Sequence, residues 1–374
     1  MDTVGFVPEP NCGRGTVSII WSCLTTIIFV VWTVLHPDTH ASRRRITWSV
    51  LIALAPEAMP AGAIEQLVRA RQLQKRIRSI PGWHDWTLQQ SFLVLKKGIK
   101  EEAGPGGEGP RGGYDLSAAR LVELAEQRQG RDAMALLLLL PTTADINKRS
   151  KTSGFAKTVA GAQALWFTTN VVARLADGLP VTPLEAMTLA YTVCGLVSAL
   201  AWFRCPQDLE DPFVLELPPL RAPQGAFPAS GDTPSPLSLV ASPAKENKDV
   251  KLGCGSSPID ATAGNTLVRS LVLLTLAVFA GVHLAAWNYA FPSAVEAWIW
   301  RASSLAILPL GVHFVYFGSR DLGIRHWSLL VTVPLFVVVR LAVMIIAFTA
   351  FRRMPAAVFL MPDWPSSYWG HVGK

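Results

Sequence analysis

Charge is scarce in this sequence. Only 16% of its 374 residues are Asp, Glu, Lys or Arg and half are hydrophobic, whereas a soluble domain carries about 25% charged residues. The apolar residues are gathered into long runs, so a lipid bilayer is the expected solvent. Cysteine is sparse as well: Cys12, Cys23, Cys194, Cys205 and Cys254 are odd in number and form no C-x-x-C pair. Neither a disulfide framework nor a zinc site is expected from that set. The chain has no H-E-x-x-H, no G-x-S-x-G and no Walker loop, which argues against a zincin, a serine hydrolase and an ATP-driven pump. It also lacks the aspartate-rich clusters of soluble terpene synthases. No metal and no cofactor is expected. The net charge of +7 is not arranged as a basic stripe interleaved with aromatics, so nucleic acid is not an expected partner. It fits cytoplasmic segments drawn to anionic lipid.

Against these absences stand the apolar runs. A hydrocarbon core of about 30 Å takes roughly 20 apolar helical residues. Residues 16–35 meet that length, end at His36-Pro37, and are followed by Arg43, Arg44 and Arg45, which hold that end in the cytoplasm. Residues 1–15 lack a basic n-region, so the run reads as an uncleaved first span. Residues 157–175, 184–203, 267–289, 295–317 and 328–351 supply five more. Residues 46–62 are shorter and carry Pro56, Glu57 and Pro60; they read as a short span, a re-entrant segment or an interfacial helix. The connections at 177–183 and 290–294 contain no Lys or Arg, while 63–157, 204–265 and 318–327 hold nearly all of them. With the N-terminus outside, this asymmetry fits six crossings; counting 46–62 makes seven and displaces another assignment.

The expected fold is therefore an all-α polytopic transmembrane bundle of 6–7 spans, with amphipathic cytoplasmic helices and a disordered Pro-rich linker. Its organisation reads as follows: 1–62, tail, first span and second apolar segment; 63–156, a basic and amphipathic helical segment in the cytoplasm; 157–203, a two-span hairpin. Residues 204–265 are dense in Pro, Ser and Gly and read as disordered; 266–351 form a three-span bundle and 352–374 a tail. Within the cytoplasmic segment, 64–80 is a basic helix, 104–113 a Gly/Pro loop and 116–140 one amphipathic helix. A first span flanked by arginines directs the chain to a secretory-pathway membrane, endoplasmic reticulum or plasma membrane. Membrane lipid is the expected partner, protein partners remain unknown, and no internal repeat of the kind common in secondary transporters is present.

Polar groups inside apolar helices are costly and usually face the bundle interior or a cavity. Gln163, Asn170 and Arg174, with Trp166 close by, share one helical face; they read either as interhelical glue or as a ligand site. His283 and Trp287 share another, as a packed core pair or a functional one. Glu185 and Glu296 sit at helix starts, where a carboxylate is favoured in any case. Arg301 and Arg340 lie deeper and require a carboxylate, carbonyls or an anionic ligand, and Glu57 is the unassigned carboxylate that fits. The candidate catalytic residues are Glu57, Glu185, Glu296 and His283. The candidate ligand-binding residues are Gln163, Trp166, Asn170, Arg174, Trp287, Arg301 and Arg340.

Several strings occur together: Pro8-Glu9-Pro10-Asn11-Cys12-Gly13-Arg14-Gly15-Thr16 before the first span, with Trp21, Ser22 and Cys23 inside it; Gln163, Trp166-Phe167 and Ala173-Arg174 before Leu179-Pro180-Val181-Thr182 and Leu184-Glu185; and His283, Ala286-Trp287, Phe291-Pro292, Glu296, Trp300-Arg301 and Ser304, with Trp364 and His371 near the end. In this combination the chain resembles a large family of multi-spanning membrane proteins from filamentous fungi, over about two-thirds of its length. Relatives in that family tend to carry a His and a Met-Gly-Gly near a Trp-Thr-Leu string. Here Trp86-Thr87-Leu88 is followed by Gln89-Gln90 and then Lys96-Lys97-Gly98, so an activity carried by that segment is altered or lost. The resemblance implies a role in fungal specialised metabolism or membrane homeostasis, and names no reaction. Two alternatives stand beside it. One is a membrane-embedded enzyme on a hydrophobic small molecule, such as a non-canonical isoprenoid cyclase, with one of the three Glu as acid and Trp166, Trp287 and Trp300 as cation-stabilising rings. The other is a transporter with Arg174, Arg301 and Arg340 along an anion pathway.

Overall fold

The structure, a computed structural model, describes residues 3–8, 13–34, 45–102, 114–128, 130–150, 154–207, 209, 211–216, 258–317 and 327–362. In chain order it begins with β1 (Thr3–Val4), α1 (Thr16–Val34), α2 (Arg45–Leu54), α3 (Ala58–Arg78) and α4 (Leu88–Leu95). Then come β2 (Ile99–Glu102), β3 (Tyr114–Asp115), α5 (Ala118–Gln127), α6 (Arg131–Leu139) and α7 (Thr143–Arg149). The second half holds α8 (Gly154–Ala176), α9 (Pro183–Ala201), β4 (Phe213–Glu216), α10 (Pro258–Ala285), α11 (Ala294–Phe317), α12 (Trp327–Thr349) and β5 (Met354–Pro355).

Six long helices, α1 and α8 to α12, pack around one apolar core that includes Ile19, Phe167, Met187, Phe279, Trp300 and Val343. Their order of direction can be read from their ends. At one end, called upper here, Arg14 before α1 pairs with Glu185 at the start of α9. Arg174 near the end of α8 donates to the carbonyls of Val358 and Leu360. Glu296 at the start of α11 pairs with Arg352 after α12, and β1 pairs antiparallel with β5. At the opposite, lower end Gln207 after α9 donates to the carbonyl of Thr33 in α1 and its backbone meets Ser150, which precedes α8. The six helices therefore alternate in direction, and both described ends of the chain lie at the upper end.

Local chemistry sets these boundaries. Thr182 caps α9 in a reciprocal box with Glu185, and Pro183 supplies the preset φ of the first turn. The outward faces of the bundle are apolar: Trp21, Leu200, Leu274 and Val338 are each more than 60% exposed. Four helix segments, Thr16–Thr33, Pro183–Ala201, Thr266–Ala285 and Leu330–Arg352, are long and apolar enough to cross a membrane by length and composition.

Below the bundle lies a second core. Leu73 and Ile77 at the end of α3 join Trp83, Trp86, Ile99, Leu116, Leu121 and Leu136 in it. Its three-stranded sheet has the order β3-β2-β4, with β2 and β3 antiparallel and β2 and β4 parallel. This differs from the all-helical cytoplasmic segment expected for 63–156, and β4 falls inside the stretch read as a linker. Four-residue strands carry almost no periodic signal, and the parallel pairing of Ile99 with Phe213 has no local trace. The single helix expected at 116–140 is two, broken at Gly130, whose φ of +57° stands in the left-handed region. The expected loop at 104–113, most of the linker, Cys12, Cys254, Arg43, Arg44, Trp364 and His371 lie outside the described residues.

Candidate functional site

The short helix α2 stops halfway up the bundle. The carbonyl of Ala53 accepts from the Tyr191 hydroxyl and that of Leu54 from Arg340 Nε at 2.8 Å; these donors stand midway along α9 and α12. Pro56 interrupts the helical hydrogen bonding there. α3 starts at the next turn and descends along α9, so that Trp202 Nε1, near the lower end of α9, donates to Gln66 at 3.0 Å. Glu57 sits at this junction, in the middle of the bundle. Both its carboxyl oxygens are buried and neither has a hydrogen-bond partner among the described residues. The charge whose field reaches it is that of Arg340.

Arg340 is wholly buried. Besides the Leu54 carbonyl it approaches the Tyr191 hydroxyl at 3.4 Å, and its guanidinium lies 4.8 Å from the Phe279 ring centre and 5.9 Å from that of Tyr191. Its Nη1 has no partner among the described residues. His283, one turn along α10 from Phe279, is wholly buried too. Its Nδ1 lies 2.8 Å from the Phe279 carbonyl. A carbonyl only accepts, so Nδ1 is the donor, and in the neutral imidazole Nε2 is then the acceptor. Nε2 is buried without a partner among the described residues, as is the hydroxyl of Ser304 on α11. The imidazole stacks on Trp300 at 6.0 Å and 29°, while the Trp300 indole donates to the His283 carbonyl at 3.1 Å. A carboxyl, a phenol and a guanidinium thus gather mid-bundle, and the imidazole is joined to the guanidinium through the Phe279 ring; among the described residues the carboxyl, the guanidinium and the imidazole keep donor or acceptor capacity open. In proteins buried polar groups are nearly always satisfied, and a set of open ones is suited to hold or exchange a proton with a guest molecule.

The remaining candidates are engaged elsewhere. Glu185 is held by Arg14, by the Thr182 amide at 2.9 Å and by the Thr182 hydroxyl at 2.9 Å; it lies six residues, about 9 Å, up α9 from Tyr191. Glu296 accepts from Ser293 and Arg352 at the upper rim. Arg174 donates to the carbonyls of Pro180, Ala357, Val358 and Leu360, so it ties the C-terminal segment to the bundle. Gln163 donates to Thr26 of α1 at 3.0 Å. Asn170 donates to the carbonyl of Trp166 in its own helix, and Trp166 is 54% exposed on the outer face. Arg301 donates to the Trp287 carbonyl and lies over the Trp287 and Trp298 rings. Of the residues singled out in the sequence, the structure brings together Glu57, His283 and Arg340. Sequence reasoning missed Tyr191, Phe279 and Ser304, and the role of Arg14. The single phenol of α9 at mid-helix was the available signal for Tyr191; nothing local marked Phe279.

No curated protein and no solved structure matches the chain significantly. A family of unknown function does match, over residues 1–218 and 251–323. Those two stretches contain Glu57, Tyr191, His283 and Ser304 and end before Arg340. The chain belongs to this family of unknown function, DUF8562.

Proposed function

We propose that this is an integral membrane protein of six crossings, with α2 and the upper half of α3 forming a re-entrant hairpin, and that it is an acid–base enzyme acting on a hydrophobic small molecule. One observation carries the reading: Glu57 is delivered to mid-bundle at the tip of α2 and α3 with both carboxyl oxygens open. A buried ionisable group in an apolar bundle is costly and is kept for function. The topology is supported by the alternation of the six long helices, the apolar outer faces and the four segments of spanning length. The start of α2 at Arg45 stays on the cytoplasmic side in this arrangement. α2 then rises about 15 Å, half a bilayer core, before the chain turns back. The setting that goes with this is a secretory-pathway membrane and, on the family resemblance, fungal specialised metabolism.

The chemistry follows from the groups present. Glu57 and, in the neutral imidazole, His283 Nε2 are an acid and a base, and the open Nη1 of Arg340 supplies a donor for a developing oxyanion. This favours proton transfer on a substrate bearing a carbonyl or hydroxyl over cyclisation through a carbocation. The rings of Phe279 and Tyr191 already lie against the Arg340 guanidinium, whose positive charge opposes a cationic intermediate. A path for anions through Arg174, Arg301 and Arg340 finds less support, because Arg174 is bound to four carbonyls and Arg301 to a fifth.

The test is complementation in the native host. Deletion of the gene is expected to make an intermediate accumulate in cells. Glu57→Gln, which keeps the shape and removes the acid, is expected to reproduce that profile, while Glu296→Gln restores the normal one. Full restoration by Glu57→Gln overturns the assignment.

A further inference from the structure

A groove of about 250 Å³ opens on the side of the bundle between α8, α9 and α10. Its walls are hydrocarbon, including Val171, Ala186, Leu189 and Val282, and its polar side chains are Asn288 and Tyr289, together at the upper end. The Tyr289 hydroxyl is buried and without a partner among the described residues. Among the described residues no Asp, Glu, Lys or Arg lines the groove, and the charges whose field reaches Tyr289, those of Glu185 and Arg14, are paired with each other. Two of the wall residues adjoin groups that point into the bundle: Ala186 follows Glu185, and Val282 precedes His283. The groove and the polar centre therefore share the α9–α10 seam as a common wall.

We propose that this groove binds one hydrocarbon chain of a neutral membrane amphiphile, with the hydroxyl head of that molecule hydrogen-bonded to Tyr289. The inference rests on the membrane reading above and names the class of molecule that reaches the protein from the bilayer. Three features select the occupant. The volume lies just below the range of about 300–1,000 Å³ typical of ligand sites, enough for part of a single chain. The one-sided placement of Asn288 and Tyr289 matches a molecule polar at one end only. The absence of charge in the lining favours a neutral head over a phosphate or carboxylate, whose burial without a counter-charge is strongly unfavourable.

The experiment uses the full chain in phosphatidylcholine vesicles and two diazirine-bearing probes, a straight long-chain alcohol and a prenyl alcohol. After photolysis, peptides are mapped by mass spectrometry. Labelling is expected within 171–189 and 282–289 and is expected to be competed by excess unlabelled alcohol; the probe that labels more strongly identifies the chain type. Leu189→Trp, which fills the groove, is expected to reduce labelling by about tenfold or more, and the conservative Tyr289→Phe by about three- to tenfold for one lost hydrogen bond. Glu57→Gln is expected to label like the wild type, so a failed acid–base assignment and a failed groove give different results. Uncompeted labelling spread over outward residues such as Leu200 and Val338 overturns the proposal, as does unchanged labelling in both groove variants. Equal labelling by a long-chain carboxylate probe contradicts the neutral head.

Discussion

In the helical bundle Leu200, Leu274 and Val338 point outward while Arg340, His283 and Ser304 are wholly buried. In the α/β unit beneath it the order is the reverse. Ile77, Trp83 and Leu121 fill the centre, and Arg76, Glu123 and Glu126 pair with one another or their neighbours on the outside. On the topology proposed above, the two parts face different solvents. Water drives the α/β core together through the burial of Leu, Ile and Trp. A bundle whose outside is as apolar as its inside has no such drive in lipid and depends on packing and on internal hydrogen bonds. This is why its interior holds Thr26 with Gln163, Arg14 with Glu185 and Arg174 with a row of carbonyls. Glu57 differs from these in that neither of its carboxyl oxygens has a side-chain hydrogen-bond partner among the described residues.

The largest effect expected from breaking this contrast is at the upper end. Glu185→Gln leaves Arg14 without its carboxylate and is expected to cost about 3–5 kcal/mol, the usual loss when a buried pair is broken from one side. Thermal unfolding in detergent measures it, and Arg14→Met in the same chain is expected to recover much of the loss. A smaller effect separates the two solvents directly. Val338 lies at the centre of α12 on the outer face, so Val338→Lys is expected to disfavour insertion by about 2.5–3.5 kcal/mol. The still more exposed Leu138 of α6 is expected to accept Lys within about 0.5 kcal/mol. Extraction by alkaline carbonate reports the inserted fraction in both variants.

The smallest expected effect is local to the α/β unit. The Thr142 hydroxyl and amide hold the Asp145 carboxyl below its usual range, in the box that starts α7. A group whose folded pKa is lowered contributes stability above its unfolded value and loses it as the pH falls through the folded value. Amide protection factors over 143–149, each referred to the intrinsic exchange rate at that pH, are therefore expected to fall on acidification across that interval, and Asp145→Asn to remove the dependence.

Much of the bundle was legible because its signals are local. The six long helices lie within a few residues of the apolar runs, apart from a longer start to α10, and Thr182-Pro183 marks the start of α9 by capping chemistry alone. Glu57, His283 and Arg340 stood out as polar residues in apolar surroundings. Their convergence was not legible, since it depends on α2 stopping opposite Tyr191 and Arg340, contacts between residues far apart in the chain. The same limit hid the sheet, in which β2 and β4 meet only after α9 has returned the chain to the lower end. Glu185 and Glu296 were as conspicuous as Glu57 in the sequence, but each proved to be matched by an arginine that composition could not assign to it.

The hairpin that carries Glu57 is tested most directly by side-specific labelling. In a background free of the five native cysteines, single cysteines at Arg45, at Ser79 and at Thr3 are reacted with an impermeant maleimide in sealed vesicles of known orientation. The arrangement described here predicts that R45C and S79C react from the same face and T3C from the opposite one. Reaction of R45C and S79C from opposite faces would mean that α2 and α3 together cross the membrane, and would remove Glu57 from the tip of a re-entrant hairpin.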